Sequence, residues 1–76
     1  MRTVSAYRPL RVYGLRTYRL ALGLSQVQCA RACGISVPHY QRLEQGKAHA
    51  SLVTLRKLAQ GLHVPMSLLR RQEDTP

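Results

Sequence analysis

The sequence predicts an all-α fold, a compact bundle of four to five short helices. Apolar residues recur at the helical spacing of about 3.6, and no stretch alternates with period two. Ser stands where the periodic stretches begin and Gly where they stop, the usual start and stop signals of helices. The chain of 76 residues is one small domain, able to bury only a modest share of its surface. Its hydrophobic content of 45% is ordinary for a globular protein and excludes a disordered basic tail. The aromatic residues are four Tyr, so Leu, Val and Ala must build most of the core.

The first helix is expected over about 11–22, with Leu15, Tyr18 and Leu22 on one face and Gly23 as a left-handed stop. In the second, Ser25 is the N-cap and Gln28 completes an S-x-x-Q capping box, while Leu24 and Cys29 have the spacing of a hydrophobic staple. Cys29, Ala30 and Cys33 form its apolar face, and Gly34 ends it. Ser36 caps the third helix. Pro38 falls in its first turn, where a missing N–H does no harm. Ile35 and Tyr40 repeat the staple, Tyr40 and Leu43 face inward, and Gly46 closes the helix. A loop over 47–50 leads to a fourth helix capped by Ser51, with Leu52, Leu55, Leu58, Ala59 and Leu62 on the buried side. Gly61 inside it costs about 1 kcal/mol against Ala, which implies close backbone or helix packing there. A last short helix over about 65–71 carries Met66, Leu68 and Leu69. The chain divides into an N-terminal extension or arm (1–10), the helical domain (11–71) and a flexible tail (72–76).

The charge balance narrows the function. Twelve Lys and Arg face three Asp and Glu, a formal net charge of +9. Such a surface favours a polyanionic partner: nucleic acid first, then an anionic membrane or an acidic protein. Charge alone would fit a ribosomal protein equally well. No apolar run approaches the roughly 18 residues of a membrane span, and residues 1–10 hold no stretch of signal-peptide character. A soluble, intracellular protein is expected. Cys29 and Cys33 fall short of the roughly four ligands of a zinc site, and C-x-x-x-C is not the C-x-x-C redox motif. They read as small core residues, with a redox or metal role as the alternative. His39 and His49 would act as general bases only with a partner carboxylate or Cys. No catalytic residue, metal or cofactor is assigned.

The second and third helices are joined by Gly34, Ile35 and Ser36 alone. So short a link cannot return the chain antiparallel; it forces a steep crossing, the helix-turn-helix arrangement. Ala30 is small where the helices approach, Gly34 permits the positive φ of the turn, and Ile35, Tyr40 and Leu43 plug the crossing. With Tyr40 and Leu43 inward, Val37, Pro38, Gln41, Arg42 and Gln45 occupy the outward face of the third helix.

The stretches "LRTYRLALGLSQ" (15–26), "ARACGIS" (30–36), "YQRLEQGK" (40–47) and "SLVTLRKLAQGL" (51–62) resemble the Xre-type helix-turn-helix family, which includes the phage repressors and Cro. The resemblance spans most of the chain. It implies a lambda-repressor-like DNA-binding domain of five helices, in a family of transcriptional regulators that mostly bind as dimers.

It also implies roles for single residues. Glu44 matches the family's acid before Gly, and Arg19 the Arg that reaches it, so a structural ion pair ties the first helix to the recognition helix (about 37–45). A lone acid in a strongly basic domain sits in a positive field that favours its charge; a solvated surface Glu is the bland alternative. By analogy Val37, Pro38 and Arg42 are base readers. Arg42 fits a bidentate bond to guanine O6 and N7. Gln41 would read adenine or hold a phosphate, and plain solvation fits both Gln41 and Gln45. Val37 and Pro38 depart from the polar residues many members carry and suggest apolar contact, as to a thymine methyl. Phosphate contacts fall to Gln26, Ser36, His39, Gln45, Lys47 and His49. Arg2 and Arg8 would lie in a minor groove if residues 1–10 form an arm; the segment would otherwise be disordered or packed on a partner subunit. Met66, Leu68 and Leu69 are either core or dimer contacts, and a symmetric homodimer is expected.

The reading that follows is a small regulator binding double-stranded DNA at a palindromic operator. It would resemble the smallest stand-alone members, Cro-like phage proteins and controller proteins of restriction–modification systems, and would be cytoplasmic and bacterial or phage-encoded. One alternative is an antitoxin-type module that binds a toxin and its own promoter. Another is a charge-driven, non-specific nucleic-acid binder, with steep salt dependence.

Overall fold

The computed structural model describes residues 10–70. Among them are five helices, α1 (Leu15–Ala21), α2 (Gln26–Cys33), α3 (Val37–Glu44), α4 (Leu52–Leu62) and α5 (Met66–Leu69). None is long and apolar enough to cross a membrane. The expected tail at 72–76 and nearly all of the N-terminal extension, Arg2 and Arg8 included, lie outside the described residues.

The first helix starts later than its periodicity suggests. Gly14, at φ +76°, is its N-cap, and Arg11, Val12 and Tyr13, expected to be helical, lie outside the helix. The cause is pairing on both edges. Leu10 and Ala50 exchange both backbone hydrogen bonds at 2.8 Å. On the other side Val12 bridges Arg70, and the Tyr13 N–H donates to the Leu69 carbonyl at 2.8 Å. A segment whose backbone is committed to neighbouring chain cannot make helical i→i−4 bonds. The same pairing shortens α5, because Arg70 turns extended to meet Val12.

The start signals of the next three helices act as their spacing implies. Ser25 Oγ accepts from the Gln28 N–H at 3.0 Å and Gln28 Oε1 accepts from the Ser25 N–H at 2.8 Å, a complete capping box. Ser36 Oγ accepts from the His39 N–H at 3.2 Å, and Ser51 Oγ from the Thr54 N–H at 3.1 Å. Gly34, at φ +72°, ends α2 and lets the Ile35 N–H reach back to the Ala30 carbonyl at 3.1 Å.

The core is built by Leu15, Cys29, Ala30, Cys33, Tyr40 and Leu43 with the buried stripe of α4, namely Leu55, Leu58, Ala59 and Leu62, and by Ala50 and Leu69. Two residues depart from expectation. Leu22 is the C-cap beyond the end of α1 and is exposed, while Arg19 takes the buried place one turn after Leu15. Leu52 opens α4 one turn ahead of the buried stripe and is also exposed. Gly61 sits where α4 packs tightly on α2. A Cβ there would stand 2.5 Å from Cys33 Sγ, 2.8 Å from Cys33 Cα and 2.9 Å from the Ala32 carbonyl oxygen. Cys29 and Cys33 are free and buried. Burial, then the neighbouring Cys29, pushes the Cys33 thiol up to about 12.

Candidate nucleic-acid interface

The α2–α3 unit is fixed from inside by apolar packing and from one flank by charge. Ala30, Tyr40 and Leu43 are buried at the crossing, with Ile35 partly buried against them. On the flank, Arg19 of α1 meets Glu44 at the end of α3. Arg19 Nε donates to Oε1 at 3.0 Å and Nη2 to Oε2 at 2.8 Å, the bidentate fork that suits a carboxylate. Nη1 donates to the Leu24 carbonyl at 2.9 Å. One guanidinium thus ties α1 to the recognition helix and to the turn that leads into α2.

Burial works against the Glu44 charge, yet the hydrogen bonds and positive charge of Arg19 hold its carboxyl below the ordinary value. The Arg19 guanidinium is held above its ordinary value, first by its hydrogen bond to Glu44. Tyr40 lies close by. Burial, then Cys29 and Glu44, push its phenol up, although its hydroxyl meets neither in hydrogen-bonding geometry.

A second tie joins α2 and α3. Gln41 Nε2 donates to Gln26 Oε1 at 3.1 Å, so an expected base reader and an expected phosphate contact are hydrogen-bonded to each other. The capping box engages the Gln28 N–H and the Ser25 carbonyl takes the Cys29 N–H. The Gln26 and Val27 amides remain at the open end of α2. At α3, Pro38 has no N–H and Ser36 engages His39, which leaves the Val37 amide. The start of α2 therefore offers the fuller set of donors to an anion.

The outward face of α3 is graded. Pro38, Arg42 and Gln45 are exposed, Gln41 and His39 half-buried. Val37 is also half-buried and packs partly against the core. Ser36 is exposed; its hydroxyl accepts as a cap and keeps its proton to donate. Lys47 and His49 are exposed in the loop after α3. Arg19 apart, every Lys and Arg among the described residues is exposed, and Glu44 is the one acid there, so the described surface presents cations with no opposing carboxylate. Of the residues assigned to core or dimer, Leu69 is wholly buried and has no surface to offer a second subunit. Leu68 is half exposed, and Met66 packs partly against the core.

Sequence reasoning missed the Gln26–Gln41 bond, the Leu24 carbonyl under Arg19 and the pairing of Leu10 with Ala50. Each is a contact between segments distant along the chain or to a backbone atom, and neither leaves a periodic signal.

The helix-turn-helix family model matches residues 15–69. Among solved structures, the chain is 36% identical to the restriction–modification controller protein C.AhdI from Aeromonas hydrophila. That match covers 68% of this chain and 79% of that one, with a TM-score of 0.66. It is 28% identical to the hypothetical transcription factor NHTF from Neisseria, over 80% of this chain and 70% of that one, with a TM-score of 0.73. No curated protein matches the chain. A three-residue link between α2 and α3, an outward α3 face with cations around it, and a family match over most of the length agree: the chain belongs to the Xre-type helix-turn-helix family of DNA-binding transcriptional regulators.

Proposed function

We propose that the chain binds a palindromic operator in double-stranded DNA as a homodimer, with α3 in the major groove. The observation that carries this reading is the presentation of Arg42. It projects exposed from a helix locked on one flank to α1 by Arg19–Glu44 and on another to α2 by Gln41–Gln26. A preorganised helix lets an Arg fork address guanine without first ordering its own backbone. Arg42 and Pro38 read bases. Gln41, already bonded through its amide nitrogen, offers its oxygen to a donor such as adenine N6. Val37 contributes apolar contact through the part of its side chain left outward. Gln26 and the amides around it hold one phosphate, and Ser36, His39, Gln45, Lys47 and His49 flank the groove as backbone contacts. Two protomers related by a two-fold axis meet through the exposed Leu68, with Met66 beside it.

Selection of bound duplexes from a random library at near-physiological salt tests the reading. An enriched inverted repeat, with half-site centres about 34 Å apart, is the expected result. Tight, salt-sensitive binding with no enriched sequence would replace it with a non-specific binder, or with a protein that needs a second partner to complete its site.

A further inference from the structure

Residues 10–13 precede the stretch that the family model matches, which begins at residue 15. They are nevertheless bound into the domain along both edges. One edge is fastened to the core: Val12 bridges Arg70, and the Tyr13 N–H donates at 2.8 Å to the carbonyl of Leu69, whose side chain is wholly buried. The other edge holds Ala50, whose N–H and carbonyl both bond Leu10 at 2.8 Å. Leu10 and Val12 add partly buried side chains to the core.

Ala50 ends the loop over 47–50, and that loop is pinned at each end by a different element. At its start the Lys47 N–H donates to the Arg42 carbonyl of the recognition helix at 2.8 Å. At its finish Leu10 takes both backbone groups of Ala50. Between the pins the side chains alternate, Lys47 and His49 exposed, Ala48 half-buried and Ala50 buried. A loop held only at its helical end would leave His49 and the backbone after Lys47 to be ordered at each binding event, and that ordering opposes association.

We infer that residues 10–13 form a strap that positions the 47–50 loop against the DNA backbone, with Leu10 as the positioning residue. The inference rests on the reading of that loop as a phosphate contact. The strap touches no base, so it sets affinity and salt dependence and leaves sequence preference to α3.

The test compares full-length variants by their binding across a salt series. Leu10→Pro removes the N–H that bonds Ala50 and keeps the carbonyl; Leu10→Ala keeps both backbone bonds and loses packing. Leu10→Pro is expected to weaken all duplexes by one factor and to lower the slope of log K against log salt by about one. Leu10→Ala is expected to keep the slope, whatever it does to the melting temperature. A folded Leu10→Pro with the full slope would overturn the strap. If circular dichroism shows Leu10→Pro unfolded, hydrogen exchange on the unaltered chain decides. Slower exchange of the Leu10 and Ala50 amides with duplex bound supports the strap, and unchanged exchange overturns it. Lys47→Ala, measured alongside, separates the two ideas. A full slope there refutes the loop as a phosphate contact and the strap's role with it. A lowered slope there beside a full slope in Leu10→Pro refutes the strap alone.

Discussion

The Arg19 guanidinium grips the Glu44 carboxylate through two parallel hydrogen bonds at 3.0 and 2.8 Å, and its third arm holds the Leu24 carbonyl. With 11% and 5% of their side chains exposed, the two charges are largely out of water. The pair is best understood as specificity of arrangement. It ties α1 and the turn before α2 to the end of α3 through directional hydrogen bonds, which an apolar pair of similar volume would lack even where it stabilised as well.

Removing one partner is the costly change. Arg19→Ala leaves Glu44 without its counter-charge and the Leu24 carbonyl without its donor. A loss of about 3 kcal/mol is expected, the low end of the range for buried pairs because some exposure remains. For a domain this small that is a large part of roughly 4–11 kcal/mol of total stability. Urea unfolding at neutral pH measures it. A change below about 0.5 kcal/mol, the size of an exposed pair, would show that water already screens the two charges.

The same pair sets an acid limit. The folded-state pKa of Glu44 lies below its unfolded value. Its contribution is therefore present above the unfolded pKa of about 4.3 and is lost as pH falls through the lower folded value. In Glu44→Gln that titration is gone. The stability difference between the unaltered chain and Glu44→Gln should be constant from neutral pH to about pH 5 and shrink below it. Urea midpoints taken across that range read the difference directly, and a gap that persists to about pH 2 would contradict the assignment.

Gly61→Ala reverses the usual rule. In an open helix interior Ala gains about 1 kcal/mol over Gly. Here the new Cβ would meet Cys33 Cα at 2.8 Å and the Ala32 carbonyl oxygen at 2.9 Å, both backbone atoms that cannot rotate away. A net loss of about 1–3 kcal/mol is expected from the forced separation of α2 and α4. Trimming the side chain in the double variant Cys33→Ala/Gly61→Ala should not restore it, because the backbone contacts stay.

Much of this was legible before the structure. Ser25, Ser36 and Ser51 announced three helices because a cap is a local event, decided by residues three apart. The buried stripe of α4 followed from period alone, and Gly61 signalled close packing by being a poor helix former inside a helix. What failed was local reasoning applied where distant chain decides. Residues 11–14 carry no helix breaker except Gly14, yet pairing of Val12 with Arg70 and of Tyr13 with Leu69, next to that of Leu10 with Ala50, keeps them out of the helix. Leu22 fits the period of α1 but lies past its end. On α3, sequence marked Pro38, Arg42 and Gln45 as outward and they are exposed, whereas Val37 and Gln41, read the same way, are half-buried. It had no means of showing that Gln41 is shared with Gln26, because the bond joins two helices across the crossing.

Arg42 and its neighbours should separate by kind of effect. Arg42→Ala is expected to lose about 1–3 kcal/mol of discrimination at one base pair and to relax preference there. Arg42→Lys should recover little of it, since a single ammonium cannot reproduce the two-pronged match to guanine. Binding measured on duplexes varied one position at a time distinguishes this from a phosphate contact, whose loss weakens every duplex alike. A uniform loss in Arg42→Ala would move Arg42 from the bases to the backbone.

The last helix offers a clean pair for testing self-association. Leu68 and Leu69 are adjacent, yet Leu68 is half exposed and Leu69 is wholly buried. A charge at Leu68 meets water in a single chain, so Leu68→Glu should leave the melting temperature of the monomer nearly unchanged, within about 0.5 kcal/mol of stability. If Leu68 lies between protomers, the same charge is desolvated there and opposes its symmetry mate, and the dimer dissociates. Leu69→Ala instead opens a cavity in the core and should cost about 2–5 kcal/mol whatever the oligomeric state. Sedimentation equilibrium on the folded Leu68→Glu variant reads the outcome. A dimer that persists unweakened would place the two-fold contact elsewhere on the surface.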